Sequence, residues 1–286
     1  MKVSTLKQII PQQWHPYLGA LRRRLRSLPP RPGWQKWRLL SDPSLTDIER
    51  ELLRKVSGKI YFNDTMYDGD GAHYFKVGLS ALQGIEEALA RAQITDVRTI
   101  LDLPCGSGRV LRFLAQRFPR AEITACEIER GPVRFCVRTF GATPAYSSAN
   151  LDEVALGKKF DLIWCGSLAT HLNEHDIIAL LRVFARHLPV GGLLVFTTHG
   201  DFAAERLQQG QFDYSVPAAS RAAMGRDYSE TGYGFADYAG ERNWGVSLTS
   251  PEWIRARVRE LGTWREIYFK ERGWDNHQDV FGFVRE

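Results

Sequence analysis

The 286-residue sequence predicts an α/β fold in which parallel strands alternate with helices, and three observations carry that prediction. Short apolar runs bounded by turn residues, such as Ile100, Leu101 and Leu103, read as strands buried on both faces. The segments between them place apolar residues at helical spacing, as Val110, Leu111, Leu114 and Phe118 do. The first such strand stops at a carboxylate, Asp102, and turns through Gly106 and Gly108 into a helix. That turn leaves backbone N–H groups bare at a helix's positive end, where a charged small molecule can be held. A lone Gly-x-Gly is equally an ordinary turn.

Taken in order, Met1 to Leu40 form an arm with nine of the chain's 38 basic residues and none of its 33 acidic ones. Within it Leu18, Leu21, Leu25 and Leu28 share a helical face, flanked by Arg22, Arg23, Arg24 and Arg26, and Trp14, Trp34 and Trp37 add interfacial rings. Pro29 to Asp42 reads as a linker or irregular wrap. Ser44 to Val56 is expected to be a helix with Leu45, Ile48, Leu52 and Leu53 on one face, followed by a long helix from about Ala72 to Ala92 that buries Phe75, Leu79, Leu82, Ile85 and Leu89. The strand from Thr99 and its helix lead to a second strand, Ala121 to Glu127, and Gly131 and Pro132 open the next helix. Further strands are read at Thr143 to Ser148, within Phe160 to Leu172, and within Gly191 to Gly200. Asp201 to Leu248 is expected to be a long irregular insertion whose length suggests a lid and whose aromatic residues argue against disorder. Ser250 and Pro251 start a helix, and Thr263 to Lys270 and Val280 to Arg285 should pair antiparallel. The expected division is a basic arm and helical extension over 1–60 and a main domain over 61–286, with the insertion at about 201–248.

A nucleotide site needs an acid at the end of the second strand to accept ribose hydroxyls, and Glu127 stands there. With that acid in place, DLPCGSGR resembles the first motif of the class I S-adenosylmethionine-dependent methyltransferases, commonly Asp/Glu-x-Gly-x-Gly-x-Gly, with Pro104 where the first glycine would be. Proline fixes φ and removes one donor at that point. The resemblance runs from about Tyr67 to Arg285. It implies a Rossmann-like, doubly wound, mostly parallel seven-stranded sheet in the order 3-2-1-4-5-7-6, the last strand antiparallel, with helices on both faces. It also implies S-adenosylmethionine as cofactor. Asp102, Gly106 and Gly108 would line its methionine part with Pro104 in the turn, Glu127 would hold the ribose, and Ile128 would pack on the adenine. Asn150 would approach the adenine amino group or, equally, cap the short helix that follows it. Tyr67 and Tyr74 would belong to a lid or simply pack at the sheet edge. A dinucleotide-binding reading is weaker, because Leu111 stands where a third glycine or alanine is wanted.

In such sheets ligands bind beyond the carboxyl ends of the strands. His171, His199 and His277 all fall there, and a neutral imidazole suits removal of a proton from a hydroxyl acceptor. Cys165, Gly166, Ser167 and Leu168 stand in the fourth-strand loop, where family members that methylate amino groups of adenine or glutamine carry Asn/Asp-Pro-Pro-Tyr and metal-dependent catechol-type members a carboxylate. The expected reaction is therefore oxygen methylation of a small molecule or glycan, without a metal. The alternatives are a non-catalytic interaction or regulatory module of the same fold, or methylation of a protein or nucleic acid.

Composition sets the remaining bounds. No apolar run approaches the length of a membrane span, no leader peptide is visible, and Cys105, Cys126, Cys136 and Cys165 lack metal-ligand spacing, so a cytoplasmic protein with reduced thiols is expected. The arm suits peripheral contact with an anionic inner-membrane surface, or equally a solvated surface helix. Beyond it the chain has 29 basic against 33 acidic residues, which offers no extended track for nucleic acid. Oligomeric state is not written in the sequence.

Overall fold

The computed structural model describes residue 25 and residues 31–286. The predicted amphipathic face of Leu18, Leu21 and Leu28, the arginines Arg22, Arg23, Arg24 and Arg26, and Trp14 lie outside the described residues. The chain divides into two compact units, one ending at Lys76 and one covering Val77–Glu286.

In the first unit, Arg31–Leu40 is helix α1, where an irregular wrap was expected. Pro32 falls in its first turn, where the missing N–H has no intrahelical partner to lose. Helix α2 is shorter than read, Asp47–Lys55, because Thr46 and Glu49 form a reciprocal capping box that fixes its start. Leu53 is fully buried, whereas Ile48, predicted on the same face, is 81% exposed. Gln35 organises the segment before the next helix: its Oε1 accepts from the Tyr67 hydroxyl at 2.7 Å and from Gly71 N at 2.9 Å. The Tyr74 hydroxyl donates to Asp64 Oδ2 at 2.7 Å. Helix α3, Gly71–Ala92, contains the boundary between the units, and Phe75, Leu79, Leu82, Ile85 and Leu89 are all buried as its spacing predicts.

The second unit is built on β1 (Thr99–Asp102), α4 (Leu111–Arg117), β2 (Glu122–Glu127), α5 (Arg130–Phe140), β3 (Thr143–Tyr146), β4 (Leu162–Cys165), α6 (Glu174–His187) and β5 (Leu193–Thr198). After β5 come α7 (Asp201–Gln208), α8 (Ala218–Thr231), β6 (Tyr233–Asp237), β7 (Gly245–Thr249), α9 (Pro251–Arg259), β8 (Trp264–Trp274) and β9 (Gln278–Arg285). The main sheet has seven strands in the order β3-β2-β1-β4-β5-β9-β8. This is the expected order, with β9 antiparallel to β5 and β8. Every residue of β4 and β5 is buried, which is why those strands read as continuous apolar runs rather than alternating ones.

Two readings are corrected here. The segment 201–248 is not irregular: α7, α8 and the β6–β7 hairpin enclose a core of their own around Ala203, Leu207, Met224, Tyr228, Val246 and Leu248. Its helices escaped notice because in α8 only Met224, Gly225 and Tyr228 are buried, too few to mark a repeating face. The last hairpin is longer than read, since β8 continues to Trp274 and the connection shrinks to Asp275, Asn276 and His277. Asp275 and Asn276 take positive φ values of 53° and 55°, which short polar side chains tolerate.

Candidate functional site

The turn after β1 lies between the carboxyl ends of β2 and β4, the parallel strands on either side of β1. The Leu103–Pro104 peptide is cis, and the turn is pinned by Cys105 N donating to Cys126 O at 2.9 Å and Gly108 N to Cys105 O at 2.9 Å. The two glycines do different work. Gly106 has φ +47° and open space where a side chain would project. Gly108 has φ +77°, and a Cβ there would lie 2.5 Å from the Phe140 ring, so it permits close packing of α5.

Glu127 ends β2 and faces this turn. Its Oε2 accepts from Gly106 N at 3.1 Å and its Oε1 from Ile128 N at 2.7 Å. Burial nevertheless raises its carboxyl above the usual range. Asp102 is 1% exposed and neither carboxylate oxygen has a hydrogen-bond partner. Burial first, and then the charge of Glu127, push its carboxyl well up. Two acids with no cation beside them among the described residues, Asp102 buried without any hydrogen-bond partner, call at an open glycine turn for a cationic, hydrogen-bonding guest. That is the charge pattern of S-adenosylmethionine, with its sulfonium, ammonium and ribose diol, and these residues fit it. Ile128 is 53% exposed, and Tyr146 beside it is exposed with the Arg130 guanidinium 4.8 Å from its ring centre. Tyr146 was missed in the sequence; its pairing opposite Glu127 appears only once β3 is in register. Asn150 caps the short turn Leu151–Glu153, accepting from Asp152 N at 3.2 Å and donating to Glu153 Oε1 at 3.0 Å. Tyr74 lies in the first unit, bonded to Asp64 as described.

The turn after β4 is locked by Ser167 with Thr197 and Gln278, two residues the sequence does not single out. Ser167, at φ +63°, donates its N–H to Thr197 Oγ1 at 2.9 Å; that hydroxyl donates to Gln278 Oε1 at 2.6 Å, and Gln278 Nε2 donates to Ser167 Oγ at 2.6 Å. Gly166 is sandwiched, since a Cβ there would meet Trp164 and Trp274 at 2.9 Å. The turn then runs through Ala169–His171, where β7 clamps it by Ser247 Oγ donating to Ala169 O at 2.7 Å.

The three rim histidines occupy unlike surroundings. His171 Nδ1 lies 2.8 Å from the Tyr238 hydroxyl and 3.2 Å from Gly245 O, and its ring stacks on Trp244 with centres 5.0 Å apart. With the proton assigned to Nδ1 the ring donates to Gly245 O and keeps a lone pair on Nε2; with the proton on Nε2, Nδ1 accepts from the Tyr238 hydroxyl instead. Burial lowers its pKa. His199 is 4% exposed with Nδ1 unpartnered, and burial pushes its pKa down to about 3. Its ring centre is 5.3 Å from that of His277. His277 Nε2 lies 3.0 Å from the Tyr214 hydroxyl, and burial lowers its pKa, with Arg206 and Arg272 acting in the same direction against Asp275. The insertion thus supplies partners to two of the three. Among the described residues no group of acids, histidines and cysteines has a metal-binding arrangement, and all four cysteines are free and buried. A cavity of about 720 Å³ lined by Leu89, Ile94, Arg98, Phe118 and Arg120 opens at the opposite, amino-terminal ends of β1 and β2, away from these residues.

Comparison with known proteins agrees with this geometry. Residues 100–192 match the model of a methyltransferase domain. A malonyl-[acyl-carrier protein] O-methyltransferase from Acetivibrio thermocellus is 29% identical over 109 residues, 38% of each chain. A trans-aconitate 2-methyltransferase from Azoarcus is 27% identical over 125 residues, 44% of this chain and 48% of that one. The chain therefore spans less than half the length of these two curated relatives. Among solved structures, an S-adenosylmethionine-dependent methyltransferase from Clostridium acetobutylicum superposes with a TM-score of 0.52 at 14% identity, covering 72% of this chain and 91% of that one. A sugar N-methyltransferase from Streptoalloteichus gives 0.51 at 20% identity, covering 73% and 88%. At such identities the superpositions speak for the fold alone: the chain has the fold of these methyltransferases, and within it residues 100–192 match a methyltransferase domain.

Proposed function

We propose that this chain transfers the methyl group of S-adenosylmethionine to an oxygen of a small molecule or glycan, with a hydroxyl as the acceptor. When bound, the cofactor supplies a methyl group already activated on a sulfonium. Glu127 would hold the ribose diol, Asp102 the cationic methionine end, and Ile128 with Tyr146 would flank the adenine, while Gly106 keeps the approach open. The bonds Asn150 makes within its own turn support its capping role over an adenine contact.

The observation that carries the acceptor chemistry is the setting of His171. It follows β4, the strand beside β1, and in the tautomer with the proton on Nδ1, which donates to Gly245 O, Nε2 is the nitrogen that takes a proton. A base of this kind contributes about 10²–10⁴-fold to proton removal. His199, with a pKa near 3, is too weakly basic to hold a proton at neutral pH and serves as a neutral wall. Curated relatives named as O-methyltransferases support oxygen over nitrogen. Supporting contact of the enzyme with an anionic membrane surface, Trp34 and Trp37 on α1 are each 63% exposed; no described helix is long and apolar enough to cross a membrane.

The test is turnover of the full chain with S-adenosylmethionine across hydroxylated small molecules and glycans, read by mass and by the position of the new methyl group. An O-methylated product whose formation drops about 100-fold in His171→Ala supports the reading. N- or C-methylated products only, or full activity in His171→Ala, would remove it.

A further inference from the structure

Two arginines beside the ring cluster around His277 have no counter-ion among the described residues. Arg206 of α7 lies over Phe212 at 4.7 Å and over Phe202 at 5.3 Å, and Arg272 of β8 lies over the same Phe202 ring at 4.0 Å. The two rings flank His277, with centres 5.9 Å and 5.6 Å from it. Arg206 Nε is buried and has no hydrogen-bond partner. Arg272 Nε reaches only the Asn276 carbonyl, at 3.4 Å. Among the described residues neither guanidinium forms an ion pair, although the chain beyond its basic arm is net acidic.

Aromatic faces stabilise a guanidinium while stripping water from its planes, which leaves the N–H edges as the groups still seeking an acceptor. Two like charges on one ring, one with a buried orphan donor, are an unfavourable arrangement for the empty protein. An anion offered to those edges relieves both costs and gains charge-assisted hydrogen bonds. His277 and Tyr214, joined at 3.0 Å, connect this basic pair to His199 just beyond β5, with ring centres 5.3 Å and 5.1 Å from that of His199.

We propose that Arg206 and Arg272 form an anion-recognising subsite, and that the methyl acceptor is an acidic small molecule presenting a carboxylate or phosphate oxyanion to it. The inference rests on the proposed methyl transfer, with the acceptor lying beyond the carboxyl ends of the adjacent strands β4 and β5. Arg206 and Arg272 then select the acceptor by charge, while His171 takes the proton from a different atom of the same molecule.

Calorimetric titration of the full chain with malonate and, separately, with inorganic phosphate tests this, with chloride as the control anion. Either probe should bind in the millimolar range or tighter, and the tighter of the two names the oxyanion. Arg206→Gln and Arg272→Gln should each weaken it about tenfold or more while leaving S-adenosylmethionine affinity unchanged. Arg206→Lys keeps the charge but not the fork, and gives a loss of several-fold even if removing the charge harms folding. Heats no larger than those of chloride, or unaltered affinity in folded variants, would overturn the subsite. If malonate or phosphate binds as expected but S-adenosylmethionine does not, the subsite stands and the cofactor reading falls.

Discussion

Gly106 donates its backbone N–H to Glu127 Oε2 across 3.1 Å, so the turn after β1 and the acid at the end of β2 are one unit before any ligand arrives. The bond holds Glu127 over the open face of the turn and presents its carboxylate where a diol can be accepted. It also couples Glu127 to Asp102, whose unpartnered oxygens feel its charge.

Asp102 should limit stability while serving binding. Its folded-state pKa is raised, so the folded protein loses stability relative to the unfolded chain as pH climbs from the ordinary carboxylate value toward the raised one. Asp102→Asn should therefore melt roughly 2–4 °C higher than the wild type at pH 7.5, with the advantage shrinking toward pH 4, and should bind S-adenosylmethionine at least tenfold more weakly. Thermal melts at both pH values, paired with titrations, check this; a variant that melts lower and binds normally would assign Asp102 to the fold alone.

The two glycines should separate by phenotype. Gly108→Ala drives a methyl group into Phe140 at a left-handed position, for a loss of about 1–3 kcal/mol in denaturant unfolding. Gly106→Ala meets no neighbour, so its stability cost is about the 1–2 kcal/mol of its backbone conformation, and the methyl group projects into the space kept for the cofactor. Affinity measured on the folded fraction should fall for Gly106→Ala by more than for Gly108→Ala.

His199 makes a signed prediction about acid. Its pKa is about 3 in the folded protein against an ordinary 6.5, so the unfolded chain takes up the proton first and stability is lost as pH falls through that interval. Asp279, pushed up to about 6 chiefly by burial, acts in the opposite sense below that pH. Comparison with His199→Asn isolates the imidazole: from pH 7.5 to pH 5 the wild type should lose about 2 kcal/mol relative to the variant. A pH-independent difference would mean that the ring is protonated or hydrated in the folded state.

The hairpin of the insertion should act on turnover through His171. Tyr238→Phe removes a hydroxyl 2.8 Å from Nδ1, and Trp244→Ala removes the ring stacked on the imidazole. Both should lower kcat by about tenfold, shift the acid limb of the pH–rate profile, and leave S-adenosylmethionine affinity unchanged. Loss of affinity with an unmoved pH profile would show a structural role only.

The main sheet was legible because β4 and β5 are buried on both faces, and because the glycine turn and Glu127 follow β1 in a fixed order. The same logic located the three histidines, since residues just beyond the strands must lie on one rim. The insertion was not legible: α8 buries few side chains, and its β6–β7 hairpin sits outside the main sheet, so no repeat of 3.6 or 2 announces them. The ring formed by Ser167, Thr197 and Gln278 was hidden for a different reason. Those residues are 30 to 111 positions apart, and only the pairing of β5 with β9 brings them together.

The cofactor assignment is tested most directly by calorimetric titration of the purified full chain with S-adenosylmethionine, wild type beside Glu127→Ala. The wild type should bind with one site per chain at micromolar affinity, and the folded variant, deprived of a charged acceptor for two hydroxyls, should bind about 10–100-fold more weakly. No heat at millimolar ligand, or equal affinity in the two proteins, would contradict the account.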